Sequence, residues 1–121
     1  MSTLITRTEG NVLIAYFNDV RIVDESRIES IGHDLLALVA DATNDKLILN
    51  FKNVAFMSSA MIGKLILFGK KCKAANLKLR ICGINDNIHQ VFKLMKLEQV
   101  FEIDPDEEKA LKAVDKKTGW F

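Results

Sequence analysis

The sequence predicts one α/β domain: a mixed, mostly parallel sheet of about five strands, about four helices, and an N-terminal β-hairpin. Three observations predict it. Strand-like apolar runs alternate with stretches whose apolar residues recur at steps of three and four, the order produced when crossover helices link parallel strands. Two β-rich runs flank Gly10-Asn11, the mark of an antiparallel hairpin. The 121 residues, 49% hydrophobic and 27% charged, suffice for one packed core and leave little room for a second.

Each element has its own local reason. Leu4 to Glu9 and Val12 to Phe17 are the hairpin strands. Asp24-Glu25-Ser26 supplies capping and acidic residues that open a helix, and Ile28, Ile31, Leu35, Leu38, Val39 and Ala42 form its buried stripe. Thr43-Asn44-Asp45 ends it, and Lys46 to Phe51 reads as a strand. Ser58-Ser59 opens a second helix with Met61, Ile62, Leu65, Ile66, Gly69 and Cys72 inward, and Lys64, Lys70, Lys71 and Lys73 on the other face. Leu77 to Cys82 is a strand, and Asn85-Asp86-Asn87 caps a third helix with Ile88, Val91, Phe92 and Met95 inward. Val100 to Ile103 is a short strand. Asp104 as cap, Pro105 at the first helical position and the acids Asp106, Glu107 and Glu108 start a last helix that runs to about Val114. Residues 115–121 are a tail.

Composition excludes several function classes. Seventeen Lys+Arg against sixteen Asp+Glu give a net charge of +1, without the basic footprint of a nucleic-acid binder. Met1 to Arg7 lacks a basic segment followed by an apolar one, so no signal peptide is expected. The apolar stretch Met61 to Phe68 is interrupted by Lys64 and is far short of the ~20 residues of a membrane span. Cys72 and Cys82 lack metal-pair spacing and have apolar neighbours, so buried thiols are expected. The expectation is a cytoplasmic, reduced protein with no membrane or nucleic-acid partner, no metal and no cofactor.

Catalytic constellations are scarce, and no catalytic residue is assigned. His33 and His89 fall on helices without a second histidine at ligand spacing, as surface histidines do. Glycine-rich phosphate loops and a GxSxG elbow are absent from the sequence. The acids from Asp104 to Glu108 are explained by a helix start, the lysines of the second helix by a solvated face, and Trp120-Phe121 by a tail. Phe56 to Gly63 stands apart, because two serines sit where a strand exit becomes a helix. Either serine can cap the helix by accepting from a free N–H. Alternatively the pair is a phosphorylation switch, whose added charge of roughly −2 the positive helix end tolerates while a docked partner does not.

From Leu4 to about Val114 the chain resembles a STAS domain (sulfate transporter and anti-sigma factor antagonist) of the stand-alone bacterial type. Leu47-Ile48-Leu49-Asn50-Phe51-Lys52-Asn53-Val54 is similar to the family's V-L-D-L-x-x-V strand and loop. Phe56 to Gly63 is similar to F-[ML]-D-S-[ST]-G-[LIV]-G, and Gly83-Ile84, Val91 to Leu94 and Leu97 to Phe101 fit the family's closing strand, helix and ending. The resemblance implies a STAS domain over residues 1–114 and a protein that is not an enzyme but a partner switch. The unmodified form would bind a serine-kinase-type anti-sigma factor; phosphorylation would release it and a phosphatase would restore it. By position Ser59 is the phosphoacceptor, with Ser58, in the family aspartate's place, as second choice. Ala60 replaces a Ser/Thr, Met61 a glycine, and Arg21 stands near an expected acid. The expected partner-binding set is Arg21, Asp24, Ser58, Ser59, Met61, Ile62 and Lys64, on a monomer or weak homodimer. The altered segment motivates an alternative, a constitutive adaptor of the same fold without phosphorylation. A small-ligand or nucleotide-binding domain is a third reading, with no glycine-rich cradle to support it.

Overall fold

The structure, a computed structural model, describes residues 3–41 and 45–115. In chain order it contains β1 (Leu4–Glu9), β2 (Val12–Phe17), β3 (Arg21–Ile22), α1 (Glu25–Asp41), β4 (Lys46–Asn50) and β5 (Phe56–Met57). There follow α2 (Ser59–Ala74), β6 (Lys78–Cys82), α3 (Asp86–Leu94), a 3-10 turn at Leu97–Gln99, β7 (Glu102–Asp104) and α4 (Glu107–Asp115). Five strands make the main sheet in the order β1-β2-β4-β6-β7, antiparallel only between β1 and β2. This is the α/β class, hairpin and four-helix arrangement that the sequence predicts. At the hairpin Gly10 takes φ +61, the left-handed geometry that a two-residue turn requires at its first central position.

The central strands are apolar on both faces because helices cover both. Leu13, Ala15 and Phe17 of β2 and Leu47 and Leu49 of β4 join the larger core with Ile31 and Leu35 of α1, Leu65 and Phe68 of α2, and Phe92 of α3. The alternate residues Val12, Ile14 and Ile48, with Cys82, form a smaller core closed by Ala110 and Val114 of α4. Both thiols are free and buried as expected, Cys72 in the first core and Cys82 in the second. Burial pushes both up to about 12, aided at Cys82 by nearby acids.

The sequence pattern assigns no strand to Arg21–Ile22 or Phe56–Met57, which are too short to show a period. They pair in parallel as a separate two-stranded sheet, Arg21 opposite Phe56 and Ile22 opposite Met57. Other boundaries shift for local reasons. Asp104 is the last residue of β7, where Arg80 grips its two oxygens at 2.7 and 3.0 Å, so Asp106 starts α4 instead by accepting from Lys109 N at 2.9 Å. Pro105 therefore precedes the helix. Met95 is exposed rather than inward because α3 ends at Leu94 and the chain turns left-handed at Lys96. Val100 is exposed ahead of β7. Ala42, Thr43-Asn44 and Trp120-Phe121 lie outside the described residues.

One polar cluster secures α4. The Glu107 carboxylate accepts hydrogen bonds from Tyr16 Oη, from Arg7, and from Asn50 Nδ2, the last at 3.1 Å. Burial works to raise its pKa, but these three bonds outweigh burial and hold it below the ordinary value. Asn50 is itself buried, and its Oδ1 accepts from Lys52 N at 2.9 Å. That oxygen lies 2.7 Å from where a Cβ on Gly83 would stand, and Gly83 has φ +73, so this corner requires glycine.

Two stability outcomes follow. Glu107→Gln should lower unfolding free energy at neutral pH by about 1 kcal/mol in urea titrations. A carboxylate with a depressed folded pKa stabilises fully above its unfolded value of about 4.3 and loses that contribution as pH falls through the folded value. The acid limb of the stability curve should therefore be flatter in the variant. Lys96 holds φ 57 without being glycine, so Lys96→Gly should raise the unfolding free energy by about 1 kcal/mol or less, read as a higher urea midpoint with an unchanged slope.

Candidate functional site

Ser58 and Ser59 sit where β5 passes into α2, and three contacts hold that junction. Ser58 N donates to Ile22 O at 3.0 Å, fastening the chain to the end of β3. Ser58 has extended backbone, φ −78 and ψ 167, and its Oγ accepts from Met61 N at 3.4 Å. Asn85 caps α3 by accepting from Ile88 N at 2.8 Å, while its Nδ2 donates to Ala55 O at 2.9 Å. The start of α3 is thereby tied to the segment leading into β5.

The two serines differ in what they do. Ser58 is the cap of α2 and is half-buried. Ser59 is the first residue of the helix and is exposed. Met61 and Ile62, at 0% and 2% exposure, point into the larger core. Helix periodicity turns both inward: the partner-contact expectation for Met61 meets a fully buried side chain, while Ile62, though buried, also lines the apolar cleft beside Phe56. Lys64 is also not a free cation. Its Nζ pairs with Glu29 Oε1 at 2.9 Å, and its stem lies over Gly32 of α1. Lys70, Lys71 and Lys73 are exposed.

Asp24 caps α1, accepting from Arg27 N at 2.9 Å and Ser26 Oγ at 2.8 Å, and these bonds hold its pKa below the ordinary range. Arg21 lies over the ring of Phe56, its guanidinium carbon 5.1 Å from the centroid. Both residues are exposed, and Asp24 comes three positions after Arg21. The structure thus brings Arg21 and the two serines to the two-stranded sheet and its exit, and sets Met61 and Ile62 underneath.

Sequence reasoning missed the apolar surface at this place. Val20 and Val23, at 58% and 46% exposure, flank β3, and Phe56, at 43%, stands on β5. A small apolar cleft adjoins them, lined by Phe56, Met57, Ile62, Asn87, Ile88 and Val91. The available signal was apolar residues in two loop segments, Val20 to Val23 and Val54 to Met57, too short for periodicity. Neither histidine contributes: His33 is exposed on α1, and His89 pairs with Glu98 at 2.8 Å. Among the described residues no group of three or more His, Cys, Asp or Glu could hold a metal, and no helix is long and apolar enough to cross a membrane.

A family model for the STAS domain matches residues 5–110. The chain belongs to the STAS domain family. An anti-sigma-factor antagonist STAS protein from Planctomyces limnophilus is similar in structure, with a TM-score of 0.81, 21% identity, and 94% of this chain and 98% of that one covered. An anti-sigma factor antagonist from Mycobacterium paratuberculosis gives a TM-score of 0.83 at 19% identity, covering 94% of each chain. The Bacillus cell fate determinant SpoIIAA in its phosphorylated form gives 0.68 at 15% identity, covering 92% of this chain and 98% of that one. At these identities the likeness is one of fold.

The division of labour between the serines is measurable. Ser58→Ala should cost about 0.5–1 kcal/mol by urea unfolding, because it removes the cap of α2. Ser59→Ala should stay within about 0.5 kcal/mol of wild type, as an exposed substitution that leaves the Ser58 cap in place does.

Proposed function

We propose that this STAS domain is an anti-sigma factor antagonist that works by partner switching, and that it is not an enzyme. In its unmodified form it binds an anti-sigma factor of the serine-kinase type; phosphorylation of Ser59 releases that partner, and a phosphatase restores binding. The observation that carries this reading is the placement of Ser59. Its residue is exposed at the first position of α2, the neighbouring Ser58 serves as cap, and buried Met61 and Ile62 support the turn from below. A phosphate there meets unpaired backbone N–H groups and the positive helix end, so the domain tolerates it. A partner resting on Val20, Val23 and Phe56 meets added charge and bulk at its edge.

The modification is a phosphoryl transfer. A bond forms between Ser59 Oγ and the γ-phosphorus of ATP, the bond to the bridging oxygen breaks, ADP departs, and the hydroxyl proton passes to a base of the kinase. The apolar patch favours protein docking over small-ligand chemistry, since its exposed side chains form a face rather than an enclosed polar pocket.

Incubation with the cognate ATP-dependent anti-sigma kinase, followed by intact mass measurement, tests the switch. One added phosphoryl group is expected on wild type and none on Ser59→Ala, and the modified chain should no longer co-elute with the kinase. Retained binding with no mass gain would instead leave a constitutive adaptor of the same fold.

A further inference from the structure

We propose that Arg21 is the internal counter-ion of a phosphate on Ser59, so that modification draws its guanidinium off the ring of Phe56. The inference rests on the Ser59 reading above and adds what responds to the phosphate inside this chain.

Arg21 is an always-charged group in an unusual position. Its guanidinium lies 5.1 Å from the Phe56 centroid, within cation–π range. The acids nearest to it in sequence are engaged elsewhere. Asp19 receives Arg27 through both oxygens at 2.7 Å, and Asp24 accepts from Ser26 and Arg27 N. Among the described residues no hydrogen bond or ion pair occupies the Arg21 guanidinium. All five of its N–H donors are therefore available to an acceptor that arrives.

Topology delivers that acceptor nearby. Arg21 pairs across β3–β5 with Phe56, and Ile22 O receives Ser58 N at 3.0 Å, so Ser59 follows directly after the end of this ladder. Adjacent strands lie about 4.8 Å apart, and three residues span at most about 10 Å. By length, a seryl phosphate and an arginine side chain together could span such a gap. A guanidinium binds phosphate through two parallel charge-assisted hydrogen bonds, a stronger interaction than a solvent-exposed stack on phenylalanine. Phosphorylation would then do two things to the docking face. It would add negative charge at Ser59, and it would move a cation and bare the ring of Phe56 beside Val20 and Val23.

The other charged groups at the ends of the elements meeting here include Asp24 before α1, Glu25 and the Arg27–Asp19 pair at its start, Asp86 at the start of α3, and Lys64 paired with Glu29. These are common to every variant below. The test uses the full chain with phosphoserine placed at position 59 by suppression of a stop codon, so no kinase is needed. Phosphorus NMR then follows the second ionisation of the phosphate against pH. The midpoint should be lower with Arg21 than in Arg21→Gln by about half a unit, roughly threefold in acid constant. Arg21→Lys should recover part of the shift, and the Phe56 ring resonances should move on phosphorylation only when Arg21 is present. Identical midpoints in wild type and Arg21→Gln would overturn the proposal. A chain that no kinase accepts, yet shows the shift, would sink the switch and leave this pairing standing; the reverse result would do the opposite.

Discussion

Strand β4 must be covered on both of its faces, and most of this molecule follows from that requirement. Leu47 and Leu49 point to one side and Ile48 to the other, so a single layer of helices would leave apolar surface in water. The larger core recruits three helices, while the smaller depends on α4 alone. Few apolar side chains hold α4, and the Glu107 cluster with Arg7, Tyr16 and Asn50 fastens its first turn across β1, β2 and β4. The cluster satisfies the Glu107 carboxylate, which reaches toward the sheet, and keeps its partial burial from being a penalty.

The candidate site benefits from the same economy of support. At the β5–α2 junction the backbone is held from three directions: by Ile22 of β3, by Asn85 of α3 through Ala55, and by the core side chains Met61 and Ile62. Under the proposed switch, a phosphate added to the exposed Ser59 hydroxyl would find a turn supported well enough to keep its fold. Recognition by another protein requires a stationary face, and the same supports provide it.

The elements legible in the sequence were those long enough to show a period. Two β-rich runs around Gly10-Asn11 revealed β1 and β2, and the stripe Ile28, Ile31, Leu35 revealed α1. The Ser58 and Asn85 caps were legible because their side chains act on their own next turn. The rest depends on partners far along the chain. No local pattern says that Glu107 meets Arg7 one hundred residues earlier, that Arg80 claims Asp104, or that two dipeptides, Arg21–Ile22 and Phe56–Met57, pair. Lys64 read as a solvated lysine because its partner, Glu29, lies on another helix. Met61 and Ile62 were assigned two roles at once, core stripe and contact surface; both are buried in the core, and Ile62 also lines the apolar cleft.

The two cysteines give the layered design a practical consequence. Cys72 is sealed beneath the three-helix face and Cys82 beneath α4, and each thiol is pushed up to about 12, so neither reacts while covered. Alkylation at each position is therefore a separate clock for the opening of one side of the sheet. The chain carries a built-in pair of reporters that tells detachment of α4 apart from global unfolding.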